Sequence, residues 1–461
     1  MDYCKHFKNK NITLMGLGLL GRGVGDARFL AECGANLTVT DLKSEEQLAD
    51  SLKTLKDFKN INFVLGEHRT EDFVNADMVI KAPATPLNSP YIKAAKDAGV
   101  HVTMSTALFA KHAMYTGAVI VGVTGTRGKS TITHMIYHTL SLSNPITKSV
   151  HLGGNIRGVS TLAMLPEMEK ADPSSGDGAE ASIAVLELDS WQLQGFGEEH
   201  ISPNVAVFAN LMPDHLNYYA NEDEYFADKA NIFKFQNAQK GDTLIVGDDI
   251  AEKIRQTDPP IEPIISVPIP EEWKLQVLGV HNRENAALAR EALAALGVPD
   301  DDIRTGLESF TGVEGRLEFL RDTNLPRVAG GKAGEVKIYN DNNATTPQAT
   351  IAALKSFPSG RVVLIAGGTD KGIALDELAK EIKERTKALI LIDPSVTGTQ
   401  TLAQLFPDAP VCKSVKDALA AARAAASAGD TILFSPAFSS FGMFKNEYDR
   451  NDQFKGAVEA L

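Results

Sequence analysis

Short runs of consecutive apolar residues recur along the chain, alternating with longer stretches whose apolar residues fall three and four positions apart. Asn11–Met15, Asn36–Thr40, Asp77–Lys81, Val119–Val123, Ser182–Leu188 and Val205–Ala209 have the first pattern. A strand apolar on both faces belongs in a parallel sheet covered by helices on both sides. The intervening stretches read as helices. One runs from the glycines after Met15 to about Cys33, a short one covers Pro90–Gly99, one begins at Lys129 and one near Glu222. An alanine-rich helix opens at Gly279 and stops at Gly297 before Pro299, a Gly-then-Pro ending that marks helix termini. After about Val313 the pattern returns, with strands expected at Glu335–Tyr339, Arg361–Ala366, Ala388–Ile392 and Thr431–Phe434, and a helix over Val415–Ala428 closed by Gly429.

This alternation predicts an α/β fold of three domains. A Rossmann-like domain takes residues 1–115, a central parallel sheet 116–312, made P-loop ATPase-like by the glycines that precede Lys129-Ser130-Thr131, and a second Rossmann-like domain 313–461. The 461 residues exceed what one hydrophobic core holds. A net charge of −13 with no basic cluster argues against general affinity for nucleic acid. No run approaches the roughly 18 apolar residues of a membrane span, and the N-terminus lacks a signal-peptide core, so a cytoplasmic location is expected; a monomer is the separate expectation for its assembly. Cys4, Cys33 and Cys412 are far apart with no CxxC spacing, and reduced thiols are expected.

Two glycine-rich turns carry the candidate chemistry. Val119–Thr131 reads VIVGVTGTRGKST: a buried strand, a loop with Gly122, Gly125 and Gly128, and Lys129-Ser130-Thr131 at a helix start. In such a loop glycines let backbone N–H groups close on phosphate oxygens, a lysine meets the outer phosphates and a hydroxyl ligates Mg²⁺. The strict GxxxxGK[ST] pattern would need Gly where Val123 stands. Gly16-Leu17-Gly18-Leu19-Leu20-Gly21, with Asp41 closing the next strand, is a βαβ fingerprint; it fits NAD, a nucleotide sugar, or close helix-to-strand packing. Glu187 and His215 follow central strands, where they could reach a phosphate-bound metal. Asp189, beside Glu187, reads as a solvated carboxylate at a strand end. His134 and His138 share a helix face with no further ligand evident, and read as helix-surface residues.

The stretches GVTGTRGKST, HLGGN, LELDSWQL, MPDHLNYY, GVHNRENAALA, EGRLE and NDNNATTPQA, together with the helix carrying Lys229, resemble in order and spacing the Mur ligases, ATP-dependent amide-forming enzymes of peptidoglycan precursor synthesis. The N-terminal fingerprint, AGGTDKG and SPAFSSFGMFKNEYDRNDQF resemble the D-glutamate-adding branch. The resemblance implies that UDP-N-acetylmuramoyl-L-alanine is bound by residues 1–115, ATP and Mg²⁺ by 116–312, and D-glutamate by 313–461. It implies a carboxylate attack on the γ-phosphate and an acyl-phosphate intermediate.

By the same resemblance Gly125, Thr126, Gly128, Lys129, Ser130 and Thr131 hold the phosphates. Ser130 and Glu187 hold one Mg²⁺; His215 and a carbamylated Lys229 hold a second. Asn155 lies near the substrate carboxylate, Asn282 and Asn285 at the adenine, Arg316 at a phosphate and Asp341 at the ribose. Thr345, Lys371, Ser440 and Phe441 surround D-glutamate, and Gly18 and Asp41 the uridine diphosphate. Three positions depart from the usual pattern: Arg127 stands where many relatives carry Asn, Asn343 where they carry Lys, and Glu447 where they carry an aromatic residue. The last two leave a ligase for another amino acid open. A non-catalytic nucleotide-sugar-binding homologue would not need Lys129, Glu187, His215 and Lys229 together. An NAD-dependent dehydrogenase would leave the P-loop unexplained.

Overall fold

The computed structural model describes residues 3–19, 21–83, 85–86, 88–142, 149–168, 181–212, 214, 218–324 and 335–461. The chain divides into two compact units, Met1–Pro270 with Asn285–Leu307, and Glu271–Glu284 with Glu308–Leu461.

The first unit contains two sheets. β1 (Asn11–Met15), β2 (Asn36–Asp41), β3 (Ile61–Leu65), β4 (Met78–Lys81) and β5 (His101–Thr103) pair in parallel in the order β3-β2-β1-β4-β5. The order reverses beside β1, which puts the glycine loop after β1 at the crevice where open α/β sheets bind ligands. The second sheet has β6 (Val119–Thr124), β7 (Val150–Gly154), β8 (Ile183–Glu187), β9 (Val205–Phe208), β10 (Thr243–Val246) and β11 (Ile264–Ile265), all parallel, in the order β11-β10-β9-β6-β8-β7. β6 is central, so the loop after it is flanked by the carboxyl ends of β8 and β9. One continuous apolar core joins the two sheets, running from Ile12, Leu14 and Ile80 through Phe109 and Ala113 to Ile120, Leu186 and Phe208.

The second unit holds β12 (Glu318–Asn324), β13 (Glu335–Asn340), β14 (Val362–Ala366), β15 (Thr386–Ile392), β16 (Val411–Cys412) and β17 (Thr431–Phe434), in the order β12-β13-β17-β14-β15-β16. Among the described residues only β12 runs antiparallel to its neighbour. Its two buried faces follow the strand period: Leu364 and Ala366 enter one core, Val363 and Ile365 the other. The anticipated strands and helices are found with ends within a few residues of expectation. The short edge strands β5, β11 and β16 and the polar β12 lacked an apolar run to announce them, and β3, β7 and β10 were not anticipated either, although β3 and β10 carry apolar runs.

The cysteine expectation is corrected. Phe7, in the helix Cys4–Phe7, packs edge-on against Phe29 of the helix Arg22–Glu32, and Cys4 and Cys33 meet as a disulfide with Cα atoms 4.7 Å apart. Separation along the chain did not reveal this helix-on-helix contact. Cys412 is a free thiol.

Candidate active site

The glycine loop after β6 turns through Gly125 (φ 145°) and Gly128 (φ 80°), conformations that a side chain would strain, and delivers Lys129 to the start of the helix Lys129–Leu142. The segment after β9 clamps it. The amide of Thr126 donates to the Asn210 carbonyl at 3.0 Å, that of Arg127 to Asn210 Oδ1 at 2.9 Å, and that of Met212 to Thr126 Oγ1 at 2.9 Å. A Cβ on Gly128 would lie 2.3 Å from Asn285 Oδ1, so Asn285 packs directly on the loop. Ser130 and Thr131 are buried in the first helical turn. His134 bonds back to the Ser130 carbonyl through Nδ1, as a helix residue rather than a ligand.

Two lysines converge on this loop. Lys129 Nζ donates to the carbonyls of Gly125 at 2.9 Å and Thr126 at 3.1 Å. Lys229 Nζ, from the helix Glu222–Ala230, donates to the same Gly125 carbonyl at 2.9 Å and to Thr124 Oγ1 at 3.2 Å. Lys229 is 1% exposed, with its ammonium 4.8 Å from the centre of the Tyr225 ring. Burial first, and the Lys129 charge second, hold its pKa well below the ordinary lysine value. A carbonyl is a weaker partner for an ammonium than a phosphate oxygen, so phosphates over the loop can compete for Lys129.

Sheet register brings Glu187 to the same end. Glu187 pairs with Val123 on one side and Gly154 on the other. Gly154 (φ 85°) must be glycine, because a Cβ there would sit 2.1 Å from the Glu187 carbonyl oxygen. That close approach seats Asn155 over Glu187: its amide donates to the Glu187 carbonyl at 2.8 Å and its Nδ2 to Oε1 at 3.2 Å. Asp189 is not the solvated carboxylate expected: it caps the helix Ser190–Glu199 in a capping box with Gln192, and burial raises its pKa. Among the described residues no three His, Cys, Asp or Glu side chains gather as a metal site. The anticipated metal set uses one carboxylate, a hydroxyl, Lys229 and His215, and His215 lies outside the described residues.

At the first sheet, Asp41 Oδ2 accepts from the amides of Leu17 at 3.0 Å and Gly18 at 3.1 Å. The carboxylate is thus turned onto the glycine loop, with the exposed Leu19 and Leu42 nearby in the chain, 57% and 66% accessible.

In the second unit Asp341 is buried at the end of β13, accepting from Ser435 Oγ at 2.8 Å and from the Leu317 amide at 3.2 Å. Burial raises its pKa to about 7 against those hydrogen bonds and the Arg316 charge. Arg316 is exposed, between Gly315 (φ 68°) and Leu317, a non-glycine residue at φ 47°. Lys371 Nζ reaches Thr345 Oγ1 at 3.3 Å, Ser440 is buried and Phe441 is 64% exposed, its carbonyl accepting from Thr369 Oγ1 at 2.6 Å. Asn282 donates to the Leu278 carbonyl at 2.7 Å. The sequence did not point to Arg450. Fully buried, it ties together the loops around it by donating to Asn342 Oδ1, Asn342 O and Phe438 O. Asn210 and Arg22 were also missed; each acts through a contact remote in sequence.

Three family models match in succession: the Mur ligase MurD-like N-terminal domain over residues 10–104, the Mur ligase middle domain over 123–267, and the Mur ligase glutamate ligase domain over 316–438. Among curated relatives, the UDP-N-acetylmuramoylalanine--D-glutamate ligase of Roseiflexus sp. (strain RS-1) is 35% identical across 98% of this chain and 99% of its own. That of Borreliella burgdorferi (strain ZS7) is 35% identical across 98% of each. The chain belongs to the Mur ligase family. Its fold is also that of solved Mur ligases. UDP-N-acetylmuramate-alanine ligase MurC from Thermotoga maritima superposes with a TM-score of 0.59 at 18% identity, over 98% of this chain and all of its own. MurF from the same organism, in complex with ADP, gives 0.54 at 16%, over 92% of this chain and 95% of its own. The Mur middle-domain match spans the glycine loop, Asn155, Glu187 and Lys229, and the glutamate ligase match spans Arg316, Asp341, Thr345 and Lys371 and stops before Ser440.

Proposed function

We propose that this chain is an ATP-dependent, ADP-forming ligase that joins D-glutamate to UDP-N-acetylmuramoyl-L-alanine, working in the cytoplasm as a monomer in peptidoglycan precursor synthesis. The observation that carries the reading is the convergence of Lys129 and Lys229 on Gly125 beside Glu187, in a chain that matches relatives named for this activity from end to end. Residues 1–115 take the nucleotide sugar, with Gly18 and Asp41 at its uridine diphosphate. Residues 116–312 take ATP, and residues 313–461 take D-glutamate.

In the reaction an oxygen of the alanyl carboxylate attacks the γ-phosphorus. The new O–P bond forms as the bond to the β-phosphate oxygen breaks, and ADP leaves. The neutral amino nitrogen of D-glutamate then attacks the acyl carbon, orthophosphate departs and the nitrogen loses a proton to give the amide. This chemistry asks the protein for positioning and charge neutralisation rather than covalent help. Gly125, Thr126, Gly128 and Thr131 bring backbone and hydroxyl donors to the phosphates, and Lys129 exchanges loop carbonyls for β- and γ-oxygens. Arg316 adds a phosphate contact, Asn282 and Asn285 meet the adenine and Asp341 the ribose. Lys371, Thr345, Ser440 and Phe441 hold D-glutamate.

The buried Glu187 carboxylate and the Ser130 hydroxyl are the hard oxygen donors that Mg²⁺ takes. Bound there, Mg²⁺ would neutralise charge on the β- and γ-phosphates. Lys229 and His215 are assigned to a second ion. A protonated Lys229 would repel a cation; its lowered pKa favours the neutral amine, which can add to CO₂, form an N–C bond and release a proton, leaving an anionic carbamate.

Phosphate release measured with ATP, Mg²⁺ and matching UDP-muramyl acceptors over D-glutamate, L-alanine, meso-diaminopimelate and L-lysine tests the assignment. Turnover should require D-glutamate. Turnover with another amino acid and none with D-glutamate would overturn it and favour the alternative left open by Asn343 and Glu447.

A further inference from the structure

Arg22 opens the helix Arg22–Glu32, directly after Gly21 (φ 85°) of the first glycine loop. Its side chain turns to the other sheet: Nη2 donates to Asn155 Oδ1 at 2.9 Å. Among the described residues this is the one hydrogen bond of the guanidinium, and Nε is buried without an acceptor. The helix is held close enough to make the reach. Gly21 lies against Gly158, a Cβ on Gly25 would come 2.4 Å from Ser160 Cβ, and Ser160 Oγ donates to the buried Asp26 at 2.6 Å.

Asn155 is thereby fixed from both ends. Its Oδ1 accepts from a guanidinium and its Nδ2 donates to the Glu187 carboxylate. A flipped amide would set NH₂ against guanidinium N–H and C=O against carboxylate, which is repulsive at both contacts. A metal drawing on Glu187 would weaken the Nδ2 contact and leave Arg22 as the remaining anchor.

We propose that Arg22 is a positioning residue for the ligation reaction, holding the Asn155 amide with its N–H face toward Glu187 and so tying the nucleotide-sugar loop to the metal-binding end of β8. The inference rests on the roles assigned above to Asn155 and Glu187. Partners one hydrogen bond from a metal ligand typically carry about 10-fold to 100-fold in activity or metal affinity; Asn155 stands at that remove from Glu187 and Arg22 one bond further, so the loss at Arg22 is bounded by the loss at Asn155.

The test is a double-mutant cycle on the full-length enzyme with Arg22→Met, Asn155→Ala and the pair, reading kcat and the KM of each substrate. Arg22→Met should lower kcat by about 10-fold and by no more than Asn155→Ala does, leave the KM for ATP within about twofold, and cost nothing further in Asn155→Ala. Arg22→Lys, which keeps a cationic donor, should recover part of the loss. A purely structural role would not give this split or this rescue. If the methionine variant does not fold, Arg22→Lys in the two Asn155 backgrounds completes the same cycle. A kcat for Arg22→Met within twofold of wild type, or an equal loss in both backgrounds, overturns the inference alone. Full activity of Asn155→Ala overturns it together with the site assignment on which it rests.

Discussion

Asp341→Asn should make the protein more stable at alkaline pH while weakening its use of ATP. The carboxyl is buried between Ser435 Oγ and the Leu317 amide, and burial raises its pKa from 3.8 to about 7. A group whose folded pKa lies above its unfolded one contributes stability that is complete below the unfolded value and lost as pH rises through the folded one. For Asp341 the window therefore runs from about pH 4 to about pH 7. At about 1.4 kcal/mol per unit, the shift corresponds to ~4 kcal/mol of lost stability at pH 8. Asparagine removes the charge but keeps an acceptor and adds a donor, so about 1 kcal/mol of hydrogen bonding is at risk. The variant should gain roughly 2–3 kcal/mol at pH 8 and little at pH 4. Calorimetric melting at several pH values reads this as a transition raised by roughly 5–10 °C at pH 8, with the difference closing as pH falls. Equal melting at pH 8, or a difference independent of pH, would refute the argument that burial makes the ionised Asp341 carboxylate destabilising.

Other consequences follow from the same geometry. Gly128→Ala places a Cβ 2.3 Å from Asn285 Oδ1 on a backbone at φ 80°, so ATP affinity measured by calorimetry should fall at least about tenfold, the αL strain alone being roughly 1–2 kcal/mol; unchanged affinity would count against the loop. Activity should fall after equilibration in CO₂-free buffer and return with bicarbonate, and Lys229→Arg should lack both the activity and the response; a bicarbonate-insensitive wild type would remove the carbamate. Among the described residues His112 has a buried Nε2 with no hydrogen-bond partner, and its pKa is lowered to about 4 by burial and then by His6, whose ring centre is 4.6 Å away. Its neutral form contributes stability above pH 6.5 that is lost as pH falls toward 4. His112→Phe should flatten that acid loss by about 1 kcal/mol, after discounting for partial solvent exposure, and identical acid melting curves would contradict this.

The doubly wound architecture was legible because parallel strands buried on both faces are apolar runs, as in Val362–Ala366 and Ile183–Glu187. The glycine loop was legible for a different reason: strand, glycines and Lys129-Ser130-Thr131 are contiguous. What the sequence hid is long-range. Asn210 clamps a loop more than 80 positions earlier, and Arg22 reaches Asn155 across 133 positions. The Cys4–Cys33 disulfide depends on how the helix Cys4–Phe7 lies on its neighbour. Asp41 kept its expected place at the end of β2, yet its carboxylate grips the loop amides, an orientation that no spacing rule supplies.

The most direct measurement is the fate of oxygen-18 placed in the alanyl carboxylate of UDP-N-acetylmuramoyl-L-alanine, incubated with the enzyme, ATP, Mg²⁺ and D-glutamate. Mass spectrometry should find one labelled oxygen in the released phosphate for each amide formed, and none released when D-glutamate is omitted. Label wholly retained in the nucleotide sugar, or phosphate released without label, would contradict an acyl phosphate as the route to the D-glutamyl product.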